Sequence, residues 1–368
     1  MNYNKKNQII YGIIFYLLLT ARNIVENLNI NFNNLNKLLG YLFVIAMFIL
    51  LIMWINNIKN KKISITDIFL LLSVGIIEYL GLVSHDIDLI IMPFVIIITY
   101  FMNIDRIISC YCISLISVLI IYIVLARVNI FVTTNKNTIG YFVLILTMFL
   151  LFKMKEKKNI KYLLLKTLIV VLGIIGEIFI KDRTAEGLII LLVIMQSLNI
   201  LQLSKKRAFL LLRSAIILLP FILTGISVYL AINFGKNIEI INRLNMLLSY
   251  RIAIWNNLWN AYSVQFFPQD ISNYAYTFLN YAGLYVKATD GFFAIGPLKF
   301  GWILYLFFIF LMSSAMFKFY KTNDNNSYFF YFLIILILYN FTETIIDRSC
   351  FCLILPIVFA YLRKREGA

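Results

Sequence analysis

The chain has 368 residues, of which 62% are hydrophobic and 14% charged, and its mean hydropathy is +0.89. A soluble domain is about half apolar and about a quarter charged, so this composition excludes an ordinary soluble enzyme, a disordered tail and, despite a net charge of +16, a nucleic-acid-binding domain. Four cysteines argue against a disulfide scaffold, and a single histidine argues against a histidine-based metal site or a Ser/His/Asp triad. What remains is an integral membrane protein that crosses the bilayer many times.

Long apolar runs predict twelve transmembrane helices along the chain. A helix needs about 20 mostly apolar residues to cross a bilayer, and lipid offers no partner for the backbone groups of any open structure. The predicted segments are residues 7–25, 38–56, 63–83, 89–103, 107–126, 139–152, 163–180, 188–204, 208–234, 291–317, 328–346 and 348–362. We therefore expect an all-α, polytopic fold in which residues 1–368 form one membrane domain.

The basic residues of the short connections predict the orientation of the chain. Lys and Arg are retained on the cytoplasmic side of a membrane protein, and they are concentrated in alternate connections such as 153–161 and 205–207. An even number of spans places both termini on one side, and this pattern makes that side cytoplasmic. The abundance of Ile, Asn, Lys and Phe is typical of AT-rich coding DNA, which indicates the cytoplasmic membrane of a low-GC bacterium.

Residues 235–290 form the one long connection, and they are expected to lie outside the cell. Apolar residues at helical spacing from Leu244 to Tyr262 predict an amphipathic helix there. Arg251 falls within its apolar stripe. Either it is anchored among lipid headgroups, with Trp255 and Trp259 as interfacial residues, or it faces a site.

Three further polar segments lie at the outer ends of predicted spans. They are Lys181–Gly187, the run from Asp290 to Gly301, and Asn340–Thr344 with Asp347 and Arg348 beyond it. Charged clusters at a membrane boundary are candidates for function. Each also has a simpler interpretation. Lys181–Gly187 would be a turn whose charges neutralise each other, the run from Asp290 to Gly301 an ordinary boundary between a loop and a helix, and Asn340–Thr344 a polar turn.

Taken in order, these segments resemble the Wzy-type polysaccharide polymerases of the O-antigen polymerase and ligase superfamily. Asp182–Ala185 is similar to that family's SRT-A segment, and Leu248–Asn257 resembles LSGR-x-x-x-W. Asp290 followed by Lys299–Gly301 is similar to DN…(R)YG, and Asn340–Glu343 is similar to GLTE. The resemblance covers about residues 170–360, and it rests on motif order as much as on identity.

The chain departs from the family pattern at three positions. Asp182 stands where Ser is common, Tyr250 where Gly is common, and Gly291 where Asn usually follows the aspartate. These departures affect the local geometry and the substrate more than the class of protein.

The resemblance implies a GT-C-like membrane glycosyltransferase that needs no metal or other cofactor. Its substrate would be an oligosaccharide repeat unit on undecaprenyl diphosphate, and its partners would be membrane lipid and the flippase and chain-length regulator of the same pathway, with no nucleic acid. The implied catalytic residues are Arg183 and Arg251, which would stabilise the charge of the leaving diphosphate, and Asp290 and Glu343, candidate bases for the acceptor hydroxyl. The implied substrate-binding residues are Asp182, Thr184, Trp255, Trp259, Lys299 and Arg348.

Three other functions remain open at this stage, one of them a non-catalytic scaffold in the same pathway. A secondary transporter or polysaccharide flippase also has many spans, although the two halves of this chain show no matched pair of broken helices. An O-antigen-type ligase shares the chemistry and differs in its acceptor, but ligases of this group generally carry a loop histidine, and residues 235–290 contain none.

Overall fold

The computed structural model describes most of the chain. The described residues are 5–27, 33–58, 71–72, 74–79, 81, 87–127, 136–154, 160–198, 200–236, 238–271, 276–279, 285–288, 290–321, 327–343 and 358. Within these ranges the fold is mainly helical, as the composition predicts, and the main exceptions are one small hairpin and the irregular segment 262–271.

The described chain contains fourteen α-helices. They are α1 (Lys5–Asn27), α2 (Asn33–Ile58), α3 (Ile87–Phe101), α4 (Ile104–Arg127), α5 (Lys136–Lys153), α6 (Ile160–Ile180), α7 (Arg183–Ser197), α8 (Ile200–Lys205), α9 (Leu210–Ile217), α10 (Leu219–Asn233), α11 (Glu239–Leu247), α12 (Arg251–Ala261), α13 (Phe292–Lys321) and α14 (Ser327–Thr342). Short 3₁₀ turns occupy Arg207–Phe209 and Phe234–Lys236. Residues 71–72, 74–79 and 81 are also helical.

Three helices of the described chain are long and apolar enough to cross a membrane, judged by length and composition. They cover Ile160–Ile180, Leu219–Lys236 and Phe292–Tyr320. Four shorter apolar helices cover Ile9–Arg22, Tyr41–Met53, Ile139–Lys153 and Phe330–Thr342. The predicted third span lies only partly within the described residues, and the twelfth lies outside them except for residue 358.

Three predicted spans are broken in the structure. The segment 291–317 is interrupted at Gly301, which has φ 67° and ψ 165°. The segment 208–234 is divided into α9 and α10 at Leu218, and Pro220 stands in the first turn of α10. Proline lacks the N–H that a continuous helix needs but is tolerated in a first turn, which explains the break there. The segment 188–204 is likewise divided between α7 and α8.

The connection 238–290 contains more structure than the one amphipathic helix that the sequence predicts. Ser249 and Tyr250 both have positive φ, 54° and 65°, and separate α11 from α12. After α12, strands β1 (Tyr276–Leu279) and β2 (Tyr285–Ala288) pair antiparallel, with Tyr276 opposite Ala288. The hairpin is a departure from the all-α expectation.

Two hydrophobic clusters form the core. The larger one is built mainly from α1–α7, α13 and α14 and contains many buried aromatic rings, among them Phe94, Tyr141 and Phe292. The smaller one joins α10, α11 and α12 to the first turns of α13, and Trp255 lies within it. The smaller cluster fixes α12 against α13 and thereby positions the site described next.

Candidate functional site

Three of the predicted catalytic residues meet in one place. The Arg251 guanidinium donates from Nη2 to Oε1 of Glu343, and its Nε lies 4.0 Å from Oδ2 of Asp290. The exposed side-chain fractions are 11% for Arg251, 7% for Glu343 and 26% for Asp290. This group of three residues, the Arg251 cluster, therefore holds one buried cation between a buried carboxylate and a more accessible one.

The start of α12 fixes the position of Arg251. The left-handed backbone of Ser249 and Tyr250 turns the chain sharply, and the Tyr250 N–H donates to the Asn245 carbonyl at 2.7 Å. The Asn245 side chain in turn accepts from the Ala253 N–H at 3.1 Å, so it caps the new helix from outside. Glycine is favoured at a positive φ, and this chain places Ser249 and Tyr250 there instead.

Tryptophan N–H groups fix the backbone beside Asp290. Trp255 donates from Nε1 to the Asp290 carbonyl at 2.7 Å, and Trp259 donates to the Ala294 carbonyl at 2.8 Å. Because both donors and both acceptors are four residues apart, α12 runs beside the start of α13 in the same direction. Gly291 has φ +96°, and a Cβ there would lie 2.5 Å from the Trp255 indole nitrogen. The tight packing explains a glycine at this position.

Trp255 is thus placed differently from either sequence expectation. Trp255 is fully buried, and its ring packs against Phe341 with the centroids 5.8 Å apart. A ring with no exposed face has no surface on which a sugar can stack, and it is not an interfacial anchor. Trp259 is half-buried against the same smaller core. Both residues position the cluster through the backbone.

Glu343 lies just past the end of α14 and forms hydrogen bonds to α12, α13 and α14. Its N–H donates to the Tyr339 carbonyl at 3.1 Å, and its own carbonyl accepts from the Phe292 N–H at 3.2 Å. The second bond satisfies a donor that the first turn of α13 would otherwise leave without a partner. The start of α13 and the end of α14 are therefore hydrogen-bonded to each other directly beside Arg251.

Asp182 and Thr184 join the same region from the other side. Asp182 caps α7, accepting at Oδ1 from the N–H groups of Thr184 (3.0 Å) and Ala185 (3.2 Å). Its Oδ2 accepts from the Tyr339 hydroxyl at 3.3 Å, and the Thr342 hydroxyl lies 3.4 Å from that of Thr184. A Cβ on Gly140 would overlap the Asp182 carboxylate, so this glycine makes room for it.

Burial has an electrostatic consequence for Asp182. Desolvation raises the pKa of its carboxyl above the ordinary value. The Ala185 and Thr184 N–H groups, the Tyr339 hydroxyl and the charge of Arg251 all act in the opposite direction and do not overcome the burial. The charge of Arg251 is the weakest of these opposing effects.

The remaining predicted residues are not part of this group. Arg183 has an exposed side chain, and within the described chain no hydrogen bond or ion pair joins it to the Arg251 cluster. Lys299 is half-buried, with its Nζ 5.3 Å from the centre of the Phe300 ring. Arg348 lies outside the described residues.

Sequence reasoning missed several residues that build the site. Tyr339, Thr342 and Asn245 all bond to predicted residues or to their backbone neighbours. The spacing of Tyr339, one helical turn before Glu343, was the available signal for it. Asn245 had none, because the break between α11 and α12 was not expected.

The arrangement places a guanidinium between two carboxylates, of which Asp290 is the more accessible. Within the described residues, Arg251 Nε is buried without a hydrogen-bond partner, so the cation keeps an uncommitted donor. Asp290 is accessible enough to meet a substrate hydroxyl. No group of three or more His, Cys, Asp or Glu side chains able to hold a metal occurs in the described part of the chain. No family model matches the sequence, and neither a curated protein nor a solved structure matches it.

Proposed function

We propose that this chain is a multi-pass protein of a bacterial cytoplasmic membrane, with about twelve transmembrane helices and both termini in the cytoplasm. Three helices that could cross a membrane and four shorter apolar helices support many crossings. The concentration of Lys and Arg in alternate connections supports the orientation. In this topology the connection 238–290 and the Arg251 cluster lie at the outer face.

We further propose that the protein polymerises oligosaccharide repeat units carried on undecaprenyl diphosphate. The observation that carries this proposal is the convergence of four separate segments: Asp182 and Thr184, Arg251, Asp290, and Glu343 come together although up to about 160 residues separate them in sequence. These are the segments whose order resembles that of the polymerase family. A purely structural set of helix caps would not need a cation held between two carboxylates.

Each residue of the cluster has a role in the proposed reaction. The acceptor hydroxyl of one lipid-linked unit attacks the anomeric carbon of another, and Asp290 accepts its proton. A new C–O bond forms at that carbon as the bond to the diphosphate oxygen breaks. The diphosphate leaves with the electron pair, and Arg251 stabilises the charge on it. Glu343 is a positioning residue that orients the guanidinium.

Arg183 is proposed as a second cation for the diphosphate. It lies next to Asp182, which is joined to the cluster through Tyr339. Its exposure leaves it accessible to an incoming lipid-linked substrate. Two arginines on separate segments would grip both phosphates, because each planar guanidinium can donate two parallel hydrogen bonds.

The first test sizes the lipid-linked glycans of a strain that lacks the gene and carries plasmid-borne variants. Arg251→Ala and Arg183→Ala should each abolish long polymer and accumulate single repeat units when equal amounts of membrane protein are compared. Arg243→Ala is the matched control, because Arg243 is an exposed arginine of the same connection paired with Glu239 one turn away. It should make polymer as the unaltered protein does.

The same strain separates the competing functions. Long polymer made by Arg251→Ala would contradict the proposed role of the cluster. Repeat units that stay on the cytoplasmic leaflet in the deletion strain would indicate a flippase. Long polymer that persists on the lipid without reaching its final acceptor would indicate a ligase.

A further inference from the structure

Helix α6 carries an acidic residue on its buried face. Glu177 has no exposed surface, and it lies on the same stripe of α6 as Ile169 and Gly173, at intervals of four residues. Most of α6 is open to its surroundings, since only 17% of this candidate membrane span is buried within the described protein. Glu177 therefore points into the protein from a helix that is otherwise mostly exposed.

The face of α6 that carries Glu177 packs closely against α5 and α7. A Cβ on Gly173 would lie 2.6 Å from Oγ1 of Thr147 on α5 and 3.4 Å from Cδ1 of Ile189 on α7. A glycine at this position lets the three helices approach one another. Glu177 follows Gly173 by about one helical turn on the same face, so its carboxyl group is enclosed where these helices meet.

Glu177 is a buried acid without a partner in the described part of the chain. Neither of its carboxyl oxygens has a hydrogen-bond partner there, and no lysine or arginine forms an ion pair with it. The charged groups that act on it are two further carboxylates, Asp182 and Glu186. The other titratable groups around it are neutral phenols, Tyr141 on α5 and Tyr339 on α14. A lone carboxylate in such surroundings is neutralised by taking up a proton, because its charge is neither solvated nor paired.

The last turn of α6 leads directly into the turn that carries Asp182 and Arg183. The Lys181 N–H donates to the Glu177 carbonyl at 2.7 Å, and Lys181 has φ 62°, so the chain changes direction there. Asp182 then caps α7 and accepts from the Tyr339 hydroxyl. Lys181 and Arg183, the cations nearest to Glu177 in sequence, both have exposed side chains. The position of Arg183 thus depends on how the end of α6 lies against α5 and α7.

We propose that Glu177 holds a proton and that in this neutral form it is a positioning residue for the turn with Asp182 and Arg183. The inference rests on the proposed function, in which Arg183 contacts the diphosphate. Loss of the proton would leave an unpaired charge between α5, α6 and α7, and the end of α6 would move toward water to solvate it. Asp182 and Arg183 would move with it, so the second cation would leave the diphosphate. Polymer formation should therefore be complete at lower pH, where the proton is held, and fall as the pH rises.

Substitution by glutamine tests the proton on Glu177. Glu177→Gln has nearly the shape of the neutral acid and cannot ionise, so it fixes the state that we propose to be active. Glu78→Gln is the matched control, because Glu78 is another glutamate of a predicted span, and its Oε2 is also buried without a hydrogen-bond partner in the described chain. It belongs to the helical stretch 74–79 and not to α5, α6 or α7. Glu177→Met is a second neutral variant for the case that Glu177→Gln does not fold.

The experiment uses the full chain in phospholipid nanodiscs and has two readouts. In the infrared spectrum at neutral pH, Glu177→Gln should lack a C=O band of a protonated carboxyl group that the unaltered protein and Glu78→Gln both show. The second readout is the rate at which lipid-linked repeat units extracted from the deletion strain are joined. For the unaltered protein and Glu78→Gln it should fall at least about fivefold between about pH 7 and about pH 9.5, a range in which arginine stays charged. For Glu177→Gln it should change by less than about twofold, because no proton can be lost there.

Three results would overturn the inference. If Glu177→Gln lost no band of a protonated carboxyl group, Glu177 would be ionised in the folded protein. An equal alkaline fall in Glu177→Gln would assign the titration to another group. Absence of polymer at every pH in both Glu177→Gln and Glu177→Met, with folded protein in the membrane, would show that the carboxyl group itself is required. Polymer made by Arg251→Ala would instead remove the proposed function, and the infrared band would still report the proton on Glu177.

Discussion

Two regions of this protein place polar side chains between helices, one with neutral groups and the other with charged groups. Between α1 and α4, neutral hydroxyl groups bond across the helices: Tyr16 with Ser117 at 2.9 Å, and Thr20 with Ser114 at 2.9 Å. Beside α12, the Arg251 cluster instead places ionised side chains among buried apolar residues. A hydroxyl pair contributes little and costs little, whereas a buried charge is expensive unless it is fully paired.

The difference indicates which region is built for packing and which for chemistry. The hydroxyl pairs join two helices that would pack together in any case, since their apolar residues already share the larger core. The Arg251 cluster leaves a donor unsatisfied at Nε and a carboxylate partly exposed. An arrangement that retains charge in this way is more costly than packing requires, which is why we place the function there.

The largest expected effect comes from leaving the buried cation without its partner. Glu343→Ala removes the carboxylate that pairs with Arg251, and it should destabilise the protein by about 3–5 kcal/mol. Unfolding in detergent, monitored by tryptophan fluorescence, measures this loss of stability. A Glu343→Ala variant as stable as the unaltered protein would contradict the burial of this pair.

A paired replacement separates stability from function at the same site. Arg251→Met combined with Glu343→Leu removes both charges and fills the space with apolar atoms, so it should recover most of the lost stability. It should make no long polymer, because the proposed role of Arg251 requires its charge. Polymer made by this double variant would show that the cluster is structural.

A smaller effect is expected from the pH dependence of Asp182. Because the folded protein raises the pKa of this carboxyl, it holds the proton more tightly than the unfolded chain does. Its contribution to stability is therefore complete below the ordinary pKa of about 3.9 and is lost as the pH rises through the raised value. Asp182→Asn keeps an oxygen for the helix cap and should flatten the pH dependence of unfolding above pH 4.

The control for that prediction is Asp182→Ala. It also removes the charge, but it leaves the Thr184 and Ala185 N–H groups without their acceptor. We expect it to be about 1 kcal/mol less stable than Asp182→Asn at neutral pH. An unaltered pH dependence in Asp182→Asn would show that another group causes it.

The sequence predicts the helical class and most helix positions because apolar runs of membrane length have few alternatives. α6 and α13 begin within three residues of the predicted spans. The prediction from sequence is wrong where the backbone leaves the helical range within such an apolar run. The amino-acid sequence around Ser249 and Tyr250 does not predict two consecutive left-handed residues, since neither is glycine.

The candidate site was predictable as a set of residues and not as a geometry. Motif order identified Arg251, Asp290 and Glu343, which the structure brings together. The sequence predicted that Trp255 contacts a sugar or the membrane interface, because helical spacing alone does not distinguish a lipid-facing stripe from one that packs against another helix. Gly296 and Pro297 are a local signal for a bent helix, but they do not place the break at Gly301, because the bonds that stabilise it come from residues 265–269.

The smallest expected effect lies in the hydroxyl pairs. Ser114→Ala removes the oxygen to which the Thr20 hydroxyl donates, but that hydroxyl also donates to the Tyr16 carbonyl at 2.7 Å and so keeps a partner. We expect a loss of about 0.6 kcal/mol, the average for such bonds between membrane helices, and polymer of unchanged length. Unfolding in detergent and gel sizing of the glycans measure the two quantities. If Ser114→Ala shortened the polymer as much as a change in the Arg251 cluster does, the distinction between a packing region and a chemical region would fail, because a neutral pair outside the cluster would then control the reaction.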